Sequence, residues 1–216
     1  LMLANLFLGF SLVGAEWVLY LLVGVSILSV AVMIERWKYY RSAARDLVGF
    51  RAELRTLVGA GRLDEAFVKA ETRRKSQEQH SARDLETDLA ATLLQMKGAR
   101  PEILNEAAQD AVIRAKIEWE RSLPILATIG SNTPFLGLFG TVLGIIKAFH
   151  DLSKQAATGA SSMVMAGVSE ALVATAVGIL VALPAVVAFN LFQRRVRSAV
   201  AEAEALKSYL VGKISG

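Results

Sequence analysis

The chain has 216 residues, 54% of them hydrophobic and 20% charged, with a net charge of +4 and no cysteine. The missing cysteines exclude a disulfide framework, a thiolate metal site and a cysteine nucleophile. So hydrophobic a chain carries that much charge only if the two are segregated, and they are: Glu16 is the sole charge in 1–34, none occurs in 122–146, and Glu170 alone interrupts 155–193.

Residues 1–15 read as an apolar helix, with Leu3, Leu6, Phe7 and Phe10 at helical spacing and a break near Gly14. It is expected at the outer membrane interface. No basic n-region precedes it, so no cleaved signal peptide is expected; Leu1 is not a natural start, and residues are expected ahead of it. Residues 16–34 supply the roughly 20 apolar residues that a transmembrane helix needs. Trp17 and Tyr20 at one end, and Trp37, Tyr39 and Tyr40 at the other, form its interfacial belts.

Residues 35–123 read as a helical cytoplasmic domain, with breaks expected at Gly59 and Gly61, near Ser76 to Ser81, and at Gly98 to Pro101. Leu63, Ala66, Phe67 and Ala70 make one apolar face, and Leu85, Leu89, Thr92 and Leu93 another. A third stripe, Leu104, Ala108, Ala111, Ala115 and Glu118, leads towards Pro124 and a second span over 124–149. A short Ser-, Ala- and Gly-rich loop, 150–162, makes the third span, 163–193, its antiparallel neighbour. A cytoplasmic helix, 194–216, ends the chain. The fold class is therefore an all-α integral membrane protein with three transmembrane helices and a helical cytoplasmic domain.

Orientation follows from the basic residues, which stay on the cytoplasmic side. Residues 35–123 hold 17 Lys and Arg and the tail after Phe192 holds 5, so 22 of 24 flank one face. The N-terminus is expected outside and the C-terminus inside. Between the spans the 17 basic residues are interleaved with 15 acidic ones, the pattern of a solvated helical face rather than a nucleic-acid stripe.

Two stripes of small residues stand out. Gly137, Gly140, Thr141, Gly144 and Ala148 recur at helical spacing in the second span, and Ala171, Thr175, Gly178, Ala182 and Ala185 do so in the third. Such stripes let membrane helices approach closely. Alternatively, they line a narrow polar path, with the Thr141 and Thr175 hydroxyls holding water or a protonating carboxyl group. Glu170 also has two readings. A carboxylate at membrane depth by default marks an ion or proton pathway, yet this one lies only about 10 Å into its helix at 1.5 Å per residue. Antiparallel counting from Thr141 and Thr175 puts Lys147 at its depth, so an ion pair between Lys147 and Glu170 is the structural alternative. His80 and His150 are isolated, with neither metal-ligand spacing nor a nucleophile nearby. With no catalytic constellation and no phosphate-binding loop, neither an enzyme, a cofactor nor a metal is expected.

The runs NTPFLGLFGTVLGI, Asn132 to Ile145, and GVSEALVATAVGILVALPAVVAFN, Gly167 to Asn190, resemble the MotA/TolQ/ExbB proton-channel family in its TolQ and ExbB branch. The resemblance implies a pentameric ring in the inner membrane of a Gram-negative-type bacterium, surrounding an ExbD- or TolR-like dimer of single-span chains. That partner supplies the titrating aspartate. By motif position, Thr141 and Thr175 are the pore-facing hydroxyls and Glu170 the glutamate of the third span. Proton flow would then drive TonB-type uptake, Tol–Pal maintenance or gliding-type motility. The competing expectation is a passive membrane scaffold whose stripes only pack helices.

Overall fold

The computed structural model describes residues 16–79, 83–154 and 160–214. The interfacial helix expected over 1–15 and His80 lie outside them, as does part of the loop. The described residues form helices throughout: α1 (Glu16–Ala43), α2 (Leu47–Gly59), α3 (Leu63–Gln79), α4 (Leu85–Gln95), α5 (Pro101–Glu120), α6 (Leu123–Lys154) and α7 (Ala160–Ile214). Three stretches within α1, α6 and α7 are long and apolar enough to cross a membrane. The chain divides into two compact units, one containing residues 16–33 and 124–190, the other 34–123 and 191–214.

In the first unit, Val18 and Leu22 of α1 are fully buried and pack with Leu143 of α6. The opposite face of α1 leaves Tyr20, Val23, Ile27 and Val30 exposed. An apolar exposed face of that kind suits lipid. Pro134 and Pro184 lie inside α6 and α7. Each removes one backbone donor, which a membrane helix tolerates when its neighbours are close.

In the second unit, the breaks have local causes. Gly61 (φ 74°) and Gly98 (φ 87°) take left-handed conformations open to glycine. Pro101 starts α5 in the first turn, where a missing N–H costs nothing. Asp84 caps α4, its side chain accepting from the Thr87 N–H at 2.7 Å. Between α1 and α2, Asp46 adopts φ 55°. Sequence alone leaves that break unmarked, because Asp enters the left-handed region only where local packing favours it. The buried stripe of α5 is Leu104, Ala108, Val112, Ala115 and Trp119. It passes through Val112 and Trp119 rather than the expected Ala111 and Glu118, since a period of 3.6 alternates steps of three and four. Helix α7 continues unbroken past residue 193, so the change from apolar to charged sequence there marks a change of environment and not a helix end.

This unit is tied by buried polar links. Asp84, 1% exposed, pairs with Arg73 at 3.1 Å and accepts from the Gln77 amide at 2.6 Å. Glu86, 3% exposed, is held by Arg51, which also meets Glu202 on α7. The Tyr40 hydroxyl donates to the Trp119 carbonyl at 2.7 Å, and the Trp119 indole donates to the Arg83 carbonyl at 2.8 Å.

Candidate functional site: a hydroxyl pair between small-residue faces

The two stripes meet each other within one chain. A Cβ added to Gly137 would lie 2.7 Å from the Ala174 carbonyl oxygen and 3.0 Å from the Thr175 Cα. One added to Gly178 would lie 2.9 Å from the Thr133 carbonyl oxygen and 3.0 Å from the Gly137 Cα. Only glycine permits that backbone approach. Gly140 fits under Ala174 and Val18, and Gly167 under Ala148. Ala171 is fully buried, Ala182 is 4% exposed and Ala185 fully buried, so the contact extends along both helices.

Within this contact the Thr141 and Thr175 hydroxyls hydrogen-bond to each other, and either can be the donor. Thr141 is 8% exposed, whereas Thr175 is half-buried. The Thr141 oxygen also lies 3.2 Å from the Gly137 carbonyl and 3.3 Å from the Ala171 carbonyl. A hydroxyl has one proton and two lone pairs. The Thr141 proton therefore points either to a carbonyl, with Thr175 donating inward, or to Thr175, whose own proton is then free to point outward. The pair has two hydrogen-bond polarities at one geometry, and neither carries fixed charge.

Glu170 lies five residues before Thr175, about 7.5 Å along the helix axis. It is exposed and lines a cavity of about 160 Å³ with Gly144, Lys147, Ala148, Asp151, Gly167 and Ala171. Lys147 and Glu170 thus share a cavity, as the antiparallel count requires. The ion pair of the structural alternative is not closed here: among the described residues no salt bridge joins them within 4 Å, whereas thirteen other pairs are closed. Glu170 is exposed and Lys147 half-buried, and towards an exposed partner pairing gains little against the entropy of fixing two long side chains. Sequence reasoning missed Thr133, whose buried hydroxyl donates to the Ile129 carbonyl at 2.5 Å and whose own carbonyl seats Gly178. It also missed Ser29, 2% exposed, whose hydroxyl has no hydrogen-bond partner among the described residues.

The sequence profile of the MotA/TolQ/ExbB proton channel family matches residues 63–205, more than half of the chain. The chain belongs to that family. A Tol-Pal system protein TolQ from Haemophilus influenzae is 33% identical over 200 residues, 90% of this chain and 85% of that protein. TolQ from Pseudomonas aeruginosa is 45% identical over 108 residues, covering 48% of this chain and 46% of TolQ. The biopolymer transport protein ExbB from Xanthomonas campestris is 42% identical over 106 residues, 48% of this chain and 41% of ExbB. The chain thus aligns with less than half the length of these last two relatives. The matched region takes in the stripes, the hydroxyl pair and Glu170, so the family resemblance and the geometry concern the same residues.

Proposed function

We infer that this chain is the wall subunit of an inner-membrane motor driven by the proton-motive force, with the hydroxyl pair of Thr141 and Thr175 on its proton path. Five copies would surround an ExbD- or TolR-like dimer whose aspartate carries the proton. The Thr141–Thr175 hydrogen bond carries this reading. Its two polarities can pass a proton's hydrogen bond between a partner's carboxyl group and the chain at no charge cost, which is what a low-dielectric path requires. Among the described residues no carboxylate stands at that depth, since Glu170 is nearer the outer end of α7, and the relay needs an acid from another chain. The basic residues on one face support a periplasmic N-terminus and a cytoplasmic C-terminus.

The mutual packing of the stripes would serve a passive scaffold equally well, so the hydroxyls must separate the two readings. Interhelical hydrogen bonds in membranes are worth about 0.6 kcal/mol on average. Thr141→Val with Thr175→Val keeps shape and should leave assembly intact, checked by the mass of the detergent-extracted complex. Proton-driven activity should fall sharply. Wild-type activity in that variant would favour the scaffold.

A further inference from the structure

A groove of about 410 Å³ in the second unit is lined by Trp37, Tyr40 and Arg41 of α1 and by Leu191, Phe192 and Arg195 of α7. Its floor is Tyr40, 4% exposed, which packs against Phe192 with ring centroids 5.4 Å apart and planes tilted by 52°, and whose hydroxyl donates to the Trp119 carbonyl. Its rim is apolar and open, with Trp37 55% and Leu191 61% exposed. The Arg41 guanidinium lies 5.3 Å from the centre of the Trp37 ring, and no carboxylate lines the groove. Among the described residues neither Arg41 nor Arg195 has an ion-pair partner. Glu86 and Glu202, which share a neighbouring cavity with Arg195, are already bound to Arg51.

We propose that this groove binds an anionic phospholipid, its phosphate between Arg41 and Arg195 and an acyl chain along Trp37 and Leu191. Leu191 directly follows the uncharged run 171–190 and Trp37 stands three residues after the end of the uncharged run 17–34, on the face that carries 22 of the 24 basic residues. Amphipathic aromatic rings settle at headgroup level, and basic pockets between membrane helices there hold anionic headgroups. Two unpaired guanidiniums over an apolar floor, with no acidic neighbour in the groove, match a phosphodiester with a hydrocarbon tail. A zwitterionic lipid would instead bring an ammonium group beside the two guanidiniums, with no carboxylate in the groove to offset it.

The test is native mass spectrometry of the detergent-extracted full-length complex, titrated with phosphatidylglycerol or phosphatidylcholine. Wild type should prefer phosphatidylglycerol. Each interfacial arginine strengthens such attraction about fivefold, so Arg41→Gln with Arg195→Gln should weaken phosphatidylglycerol binding about thirtyfold. Arg114→Gln with Lys116→Gln, two exposed cations on α5, should leave it unchanged. Glycerol phosphate, which lacks the tails, should compete poorly. Equal loss in both double variants, equal wild-type binding of the two lipids, or full displacement by glycerol phosphate would each overturn the proposal. Should the groove variant fail to assemble, the wild-type lipid preference and the competition still decide.

Discussion

Gly137→Ala is the sharpest perturbation of the contact between α6 and α7. The added Cβ would sit 2.7 Å from the Ala174 carbonyl oxygen, and ordinary contact begins at 3.4 Å, so the helices must separate by about 0.7 Å. The atoms it meets are backbone, which no rotamer change can move. A gap of 0.5–1 Å forfeits a quarter to a half of each dispersion contact, and overpacking of this kind costs about 1–3 kcal/mol. The same separation acts one turn from Thr141 and stretches its bond to Thr175. Gly24→Ala in α1 is the matched control, since its Cβ meets nothing within 4 Å, and alanine is the better helix former by up to about 1 kcal/mol. Thermal unfolding in detergent, with proton flux in vesicles containing the assembled complex, reads both effects. Gly137→Ala should lose stability and flux together while Gly24→Ala loses neither. Wild-type stability and flux in Gly137→Ala would refute the close-contact reasoning.

Arg51→Gln removes the cation that holds Glu86, which is 3% exposed, and leaves a buried carboxylate without its partner; such breakage costs about 3–5 kcal/mol, visible in chemical unfolding of the chain. An unchanged midpoint would show that the pair contributes nothing. Asp88 has its carboxyl pushed up to about 6, chiefly by burial, with Asp84 and Glu118 adding and Arg83 and Arg74 opposing. The folded state therefore keeps this proton after the unfolded state has lost it, so the contribution of Asp88 to stability is greatest below about pH 4, falls as pH rises, and levels off above about 6. Asp88→Asn should flatten that slope and raise stability at neutral pH by on the order of 2 kcal/mol; an unaltered slope would point to another group. Glu170→Gln keeps shape and hydrogen-bonding capacity but cannot titrate, so if Glu170 shapes the outer mouth it should retain more proton flux than Glu170→Ala. Equal and complete loss in both, with normal assembly, would make its titration essential.

Hydropathy exposed the spans because lipid and water impose opposite demands on whole segments. Glycine and proline exposed the breaks between α2 and α3 and between α4 and α5, because those residues change what the backbone can do. The Asp46 break was hidden, since it depends on packing rather than on the residue. In the site, periodicity put Thr141 and Thr175 on two stripes, and antiparallel counting put Lys147 near Glu170. What spacing could not carry was distance. Whether two charges at one depth close into a pair depends on side-chain entropy and solvation, and Lys147 and Glu170 stay apart. The engagement of the glycines with each other was likewise ambiguous, because a small stripe looks the same whether it seats a helix of its own chain or of another.

Proton flux into vesicles, measured for the chain assembled alone and then with a single-span partner whose membrane helix carries an aspartate, tests most directly whether this chain is the wall and not the carrier. Flux is expected only with the partner present, and is lost when that aspartate is replaced by asparagine. Flux of equal size from the chain alone would contradict it.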